Sequence, residues 1–202
     1  MKNVFVLLVI LFTASLHAQD AEVILNDIQK KFQTIQDLKA GFNQSAKDNA
    51  GRMQFENTGT FNYKKPNKFR IELDILTIIS DNESLWNYDK NQNRVLINYV
   101  SDEPSSFSFE RYIMEYPSQC DVSIVNEANG SALLLIPVNL NMEFNSVKLW
   151  HDKNYIVNRI EIVDLNDLII TITLNNIVIN QSLPESKFNF TPPKGSQVID
   201  LR

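Results

Sequence analysis

The sequence predicts a mainly β, antiparallel domain that begins with one long helix. Residues 20–35 place apolar side chains at the three- and four-residue spacing of a helix face. From Leu38 to Ile179, apolar and polar side chains then alternate in short runs, which is typical of strands with one buried face. Turn-forming segments such as Lys65-Pro66-Asn67 separate these runs. The patterns together predict a meander of short hairpins.

The first 18 residues have the features of a cleavable export signal. Lys2 supplies a positive charge, and an uncharged run follows from Val4 to Leu16. This run is shorter than the roughly 20 apolar residues that span a bilayer, so we expect no membrane anchor. We expect cleavage after Ala18, which leaves residues 19–202 as a single soluble domain.

The helix that follows is amphipathic. Asp20 stands before it as a cap residue. Its apolar face is formed by Val23, Ile24, Ile28, Phe32 and Ile35.

About ten to eleven strands follow the helix. In the clearest run, Phe69, Ile71 and Leu73 alternate with charged residues, so that one face is apolar and the other is charged. Between residues 102 and 118 the alternation lapses, and we expect a loop with a short helix there. The runs predicted to form strands are residues 38–45, 53–63, 69–73, 78–79, 85–88, 95–97, 122–124, 133–138, 147–149, 156–163 and 168–179.

An antiparallel sheet of this size twists and curls, and its concave apolar face must be covered. The elements predicted to cover it are the N-terminal helix and the segment 102–118. They are few for a large face, so a groove that is open to an apolar ligand is one interpretation. The other is a filled core, which the patterning alone favours because aromatic stripes more often serve packing.

Composition and motifs argue against nucleic-acid binding, metal binding and catalysis. The chain carries 19 Lys+Arg against 24 Asp+Glu, and so lacks the excess of basic residues that neutralises phosphates. Once the signal is removed, the chain holds one histidine, His151, and one cysteine, Cys120, which are too few ligands for a zinc site. Any catalytic triad would have to be built on His151, whose position in a turn between two strands is equally well explained by an exposed hairpin residue. There is no P-loop, GxGxxG or HExxH motif. We therefore expect no cofactor, no metal and no enzymatic activity.

Five short motifs occur in a fixed order along the chain: Phe42-Asn43-Gln44, a hairpin strand with Gly59, the run from Lys64 to Arg70, Ser80-Asp81-Asn82 with Leu85-Trp86-Asn87-Tyr88, and the run from Phe188 to Gly195. Together they resemble the LolA family of periplasmic outer-membrane lipoprotein carriers. The resemblance implies an incomplete antiparallel β-barrel whose helical lid covers a hydrophobic cavity. It also implies that the cavity receives the acyl chains of lipoproteins.

The resemblance further implies a set of ligand-binding residues and a latch. In that family, an arginine before the Pro-Asn turn latches the lid to the barrel through hydrogen bonds to main-chain carbonyls of the lid, and Lys65 occupies that position here. The expected acyl-cavity residues are Phe42, Phe55, Phe61, Phe69, Ile71, Leu73, Leu85, Ile28, Phe32, Phe109 and Ile113.

The implied partners are acylated lipoproteins, an inner-membrane ABC transporter that releases them, and an outer-membrane acceptor. The protein is expected to be a periplasmic monomer. An alternative of a different class keeps the fold but makes it a regulatory module that senses lipid or lipoprotein, since fold alone does not fix function. A lipid or glycan hydrolase is a third possibility, for which the sequence displays no nucleophile or acid pair.

Overall fold

The computed structural model describes residues 20–102, 108–128, 130–139 and 141–202. The expected export signal lies outside the described residues, as does part of the predicted loop before the short helix. Helix α1 covers residues 20–33, and helix α2 is Phe109–Met114. The strands are β1 Asp37–Lys47, β2 Met53–Lys64, β3 Lys68–Leu73, β4 Leu76–Ser80, β5 Ser84–Asp89, β6 Arg94–Tyr99, β7 Cys120–Glu127, β8 Gly130–Pro137, β9 Phe144–His151, β10 Val157–Asp164, β11 Ile169–Ile179 and β12 Gln197–Asp200. Short 3-10 helices lie at Val100–Asp102, Tyr116–Gln119 and Glu185–Phe188.

The described strands form one open sheet in the order β12-β6-β5-β4-β3-β2-β1-β11-β10-β9-β8-β7. Neighbouring strands are antiparallel, except that β12 runs parallel to β6. The predicted class, a mainly β fold with a helical lid over an incomplete antiparallel barrel, is therefore confirmed. The sheet holds one strand more than the sequence predicted, because the C-terminal residues add β12 to its edge.

The sheet curls around a hydrophobic core on its concave face. Buried residues from strands far apart in the sheet, such as Leu73 on β3 and Leu133 on β8, belong to one cluster. The same cluster contains Ile28 of α1 and Ile113 of α2, so both helices cover the concave face. The alternation of buried and more exposed residues within each strand follows from the pleat, since successive side chains point to opposite faces of the sheet.

The convex face of β3 to β6 has its own cover, which is the chain after β11. Phe188 is fully buried there, and the ring of Phe190 lies 5.6 Å from that of Tyr88. Asp37 fixes the beginning of this segment, because its carboxylate accepts hydrogen bonds from the backbone N–H groups of Gln181 and Leu183 at 2.8 and 3.3 Å. Trp86 and Tyr88 alternate with the core residue Leu85 on β5 and thus face this second layer, and the concave face is left to the helices.

Candidate binding groove and its lid

The apolar residues predicted for the concave face lie together, with one exception. All except Phe55 are at most 8% exposed and belong to the core cluster. These residues are Ile28, Phe32, Phe42, Phe61, Phe69, Ile71, Leu73, Leu85, Phe109 and Ile113. The structure brings them together, while their contact with a ligand stays a prediction.

Phe55 lies on the expected face but outside the packed core. Phe55 pairs with Ala46 of β1, and Ala46 lies on the same strand face as the buried Phe42. Phe55 itself is nevertheless 38% exposed. The reason is that β3 ends at Leu73 opposite Gly59, so the part of β2 before Gly59 lacks a neighbour on that side. Phe55 therefore stands at the open end of the sheet, near the turn 48–52.

The interior beneath the helices is filled by side chains. The ring of Phe109 on α2 lies 5.9 Å from Phe32, 5.8 Å from Phe61 and 6.4 Å from Tyr63, at the angles of edge-on aromatic contacts. A void of only about 10 Å³ remains beside Phe109 and Ile113. In this closed arrangement the helices themselves occupy the space that a cavity would need.

A groove of about 400 Å³ opens on the same concave face, between α2 and the ends of β1, β10 and β11. Its wall is formed by Tyr112, Tyr116 and Phe144, and its floor by isoleucines of β10 and β11. The floor residues are Ile162, Ile170 and Ile172, and the remaining lining residues are Gln44, Glu143, Asp164, Leu165 and Asn166. We call the end near Leu165 and Asn166 the mouth of the groove.

None of these groove residues was among the acyl-cavity residues expected from the sequence, although Gln44 belongs to the motif Phe42-Asn43-Gln44. The sequence does contain the pattern that forms the groove floor. Ile160 and Ile162 occupy alternate positions of β10, and Ile170, Ile172 and Leu174 occupy alternate positions of β11. Register then joins the two sets, since Ile162 pairs with Ile170 and Ile160 with Ile172. The alternation alone does not reveal where α2 packs. The position of α2 determines which part of the concave face stays open.

Helix α2 is held to the β2–β3 hairpin by a carboxylate. One oxygen of Glu110, Oε2, accepts hydrogen bonds from the hydroxyl of Tyr63 at 2.6 Å and from the backbone N–H of Asn67 at 3.0 Å. Ser108, the N-cap of α2, donates its hydroxyl to Oδ1 of Asn67 at 2.8 Å. Gln29 of α1 adds a hydrogen bond to the carbonyl of Ile113 at 3.0 Å.

Lys65 holds the other helix. Its Nζ donates to the carbonyl oxygens of Phe32 at 3.1 Å and Gln33 at 2.9 Å, at the C-terminal end of α1. A cation at this end also interacts favourably with the helix dipole. The ammonium lies 5.3 Å from the centre of the Phe32 ring. This geometry fits the predicted latch, although it joins Lys65 to α1 and leaves α2 to Glu110.

The tyrosine hydroxyls near the helices stay protonated. Burial raises the pKa of Tyr63, and its hydrogen bond to Glu110 raises it further. Burial likewise raises the pKa of Tyr112 and of Tyr116 on the groove wall. These side chains therefore present neutral hydroxyl groups at physiological pH.

The two residues that a catalytic site would require lie apart from the groove. His151 ends β9, where its ring stacks on Tyr155 at 5.2 Å between centroids. Cys120 begins β7, and burial raises the pKa of its thiol, which reduces its reactivity.

In the described ranges, no cluster of three or more His, Cys, Asp or Glu side chains has the arrangement of a metal site. None of the helices in those ranges combines the length and hydrophobicity needed to traverse a bilayer.

Comparison with known proteins confirms the family. Residues 33–191 match the family described as outer membrane lipoprotein carrier protein LolA. An outer-membrane lipoprotein carrier protein of Histophilus somni (strain 129Pt) is 25% identical over 181 residues, which cover 88% of each chain. The corresponding protein of Francisella tularensis subsp. novicida (strain U112) is 23% identical over 204 residues, 99% of this chain and 98% of the relative.

The fold also matches solved structures. The structure of a conserved, uncharacterized protein from Thermus thermophilus superposes with a TM-score of 0.56 at 16% identity, covering 90% of this chain and 99% of that one. This match supports the fold alone. The family match spans most of the chain and agrees with the motifs and with the open, helix-covered sheet. The chain belongs to the LolA family of outer membrane lipoprotein carrier proteins.

Proposed function

We propose that this protein binds the acyl chains of lipoproteins on its concave face and carries them through the periplasm from the inner to the outer membrane. The observation that carries the proposal is the continuity of this face. Its apolar floor extends from the packed core at Leu174 through Ile172 and Ile170 to the mouth. Family membership and the names of the curated relatives support the same role.

A carrier of this kind works by keeping hydrocarbon out of water. Each buried methylene group contributes about 0.8 kcal/mol, so an acyl chain needs a long apolar surface. The groove offers about 400 Å³ in the closed arrangement, within the range of small-molecule sites. Further room requires α2 to withdraw, because Phe109 and Ile113 fill the interior.

The lid must also open at a moderate cost in free energy. The polar contacts that hold α2 include those of Glu110, Ser108 and the Ile113 carbonyl, and a single hydrogen bond contributes about 1 kcal/mol net. Acyl chains that replace Phe109 and Ile113 against the same apolar wall would offset the lost packing. Binding can thus shift the lid from closed to open without unfolding the sheet.

The remaining features of the proposal follow the family. Residues 1–18 are an export signal, and residues 19–202 form the mature carrier domain. An inner-membrane ABC transporter loads the carrier, and an outer-membrane acceptor unloads it. No covalent step and no cofactor take part. The regulatory alternative is not favoured, because the curated relatives that match nearly the whole chain are named as carriers.

The test measures binding of a diacylated cysteine peptide to the purified protein and to two variants. Ile170→Glu places a charge on the groove floor, while Ile169→Glu places the same charge on the adjacent residue, which faces the other side of β11. We expect Ile170→Glu to weaken binding at least tenfold, about 1.4 kcal/mol, because the charge must be desolvated. Ile169→Glu is expected to bind as the unmodified protein does.

Circular dichroism must show both variants folded. If the unmodified protein takes up no acylated peptide, the carrier function is excluded. Equal binding by Ile170→Glu and Ile169→Glu would exclude the concave groove as the binding site.

A further inference from the structure

Two side-chain amides interrupt the apolar surface of the concave face. Gln44 of β1 lies directly opposite Asn57 of β2 in the strand register. Gln44 lines the groove, and residues directly opposite each other in an antiparallel pair share a face, so Asn57 points to the same side. The pair above them in the register is Phe42 with Gly59, and the pair below is Ala46 with Phe55. The two amides therefore form a polar step between the packed core and the open end.

Neither amide has a partner in the described part of the chain. No hydrogen bond to another described residue involves the side chain of Gln44 or Asn57, although both residues are partly buried. Other amides of this protein are used structurally, as when Asn180 donates to the carbonyl of Thr34 at 3.1 Å. Polar groups in an otherwise apolar groove commonly set the orientation of its ligand.

The groove's charges restrict the chemistry of that ligand. The charged side chains that line it are Glu143 and Asp164, both acidic. A fatty-acid carboxylate or a phosphate group at the mouth would be repelled by them. A neutral linkage with carbonyl acceptors meets no such repulsion, and each amide NH₂ group supplies two donors.

We propose that Gln44 and Asn57 bind the carbonyl groups that link acyl chains to the rest of an acylated cysteine. The ester carbonyls then stop at the polar step on the β1 side of the groove, and the hydrocarbon runs across the sheet over Ile172 and Ile170 toward Ile162. Ile172 is the β11 partner of Gln44, so the amide and the apolar floor are immediate neighbours. This inference rests on the proposed carrier function and adds to it a determinant of which ligands bind and how deeply they enter.

The test compares two probes that differ in carbonyl groups alone. One is a diacylglyceryl-cysteine peptide with two ester linkages, and the other is its dialkyl ether counterpart with the same hydrocarbon. We expect the protein to bind the ester probe about fivefold more tightly than the ether probe for each hydrogen bond formed. Gln44→Met keeps the length of the side chain and removes its donors, so it should reduce the preference for the ester probe over the ether probe.

Two further variants keep the result interpretable. Asn57→Leu should reduce the ester preference in the same way, which guards against an effect peculiar to Gln44→Met. Asn43→Leu alters a partly exposed amide on the opposite face of β1, beside Glu56, and should change neither affinity.

The outcomes separate this inference from the proposed function. Equal affinity for the two probes in the unmodified protein overturns the amide site and leaves the carrier function standing. Failure to bind either probe overturns the carrier function, and the amide site with it.

The same comparison with diacyl and dialkyl phosphatidylglycerol identifies the source of the carbonyls. An ester preference with the peptide, but weak binding of both phospholipids, supports an acylated cysteine, whereas tighter binding of the phospholipid overturns that assignment.

Discussion

Removing the carboxylate of Glu110 should release helix α2 while leaving the sheet intact. In Glu110→Ala, the hydroxyl of Tyr63 and the backbone N–H of Asn67 both lose their acceptor. Tyr63 is 1% exposed, so its hydroxyl cannot readily turn to water while the lid stays closed. The open lid admits water to both donors, and the substitution therefore acts against the closed state.

The expected size follows from these two contacts. A hydrogen bond to a charged acceptor contributes about 1.5–3 kcal/mol, and the partly exposed position of Glu110 places both bonds at the lower end of that range. Their sum is about 3 kcal/mol, which corresponds to a change of roughly 100-fold in the equilibrium between the closed and open positions of α2.

Glu115 provides a matched control on the same segment, since its carboxylate is 59% exposed and lies 3.4 Å from Arg111. Such an exposed pair contributes less than about 0.5 kcal/mol.

Native-state hydrogen exchange measures the effect residue by residue. The amides of Tyr112 and Glu115, which close the backbone bonds of α2, should exchange about 100-fold faster in Glu110→Ala. Amides at the centre of β1 should keep their protection, and Glu115→Ala should change α2 by about twofold at most. Equal acceleration in α2 and β1 would show that Glu110 stabilises the whole domain, and unchanged α2 protection would remove it from the lid.

Three further predictions test other contacts. Lys65→Leu removes both hydrogen bonds to the end of α1, so acylated peptide should dissociate several-fold faster in stopped-flow measurements, and an unchanged rate would exclude a latch role. Gly59→Ala drives a methyl group against the carbonyl oxygen of Glu72, and denaturant unfolding should show a loss of about 1–3 kcal/mol, whereas full stability would refute the close approach. Hydrogen bonds from two lysines of the β2–β3 hairpin lower the pKa of Glu185 to about 2, so stability should be retained above pH 4.5 and fall as pH drops toward 2. Glu185→Gln should abolish this part of the pH dependence, and an NMR titration of Glu185 near its ordinary pKa would contradict the bridge.

Strands β1 to β11 could be predicted because most of them carry their own alternation, and turn-forming segments separate the others. A residue such as Ile71 is followed at every second position by another apolar residue, and the pleat converts that pattern directly into a face. Strand β12 carries no such signal. It has four residues, no hairpin precedes it, and it pairs parallel with β6, so its position depends on how the chain from Leu183 to Phe190 packs on the convex face.

The site was predictable in part. Motifs in the N-terminal half led to the core residues around Phe61 and to Lys65, which indeed meet α1. The open groove lies on the C-terminal strands instead, because Phe109 fills the space above Phe61 and leaves the surface near Ile170 uncovered. Which half of an apolar face is covered depends on the packing of a six-residue helix, and local patterning contains no information on that.

The most direct test of the carrier account locates the acyl chain within the protein. A diacylated peptide with a nitroxide at the end of one chain would be bound to protein carrying isotope-labelled isoleucine and valine methyl groups. The account predicts strong broadening of the methyl signals of Ile162 and Ile170, and weak broadening of Val163 and Ile169, their neighbours on the opposite face. Broadening of Val163 and Ile169 with sharp signals from the groove would place the chain on the convex side and contradict the account.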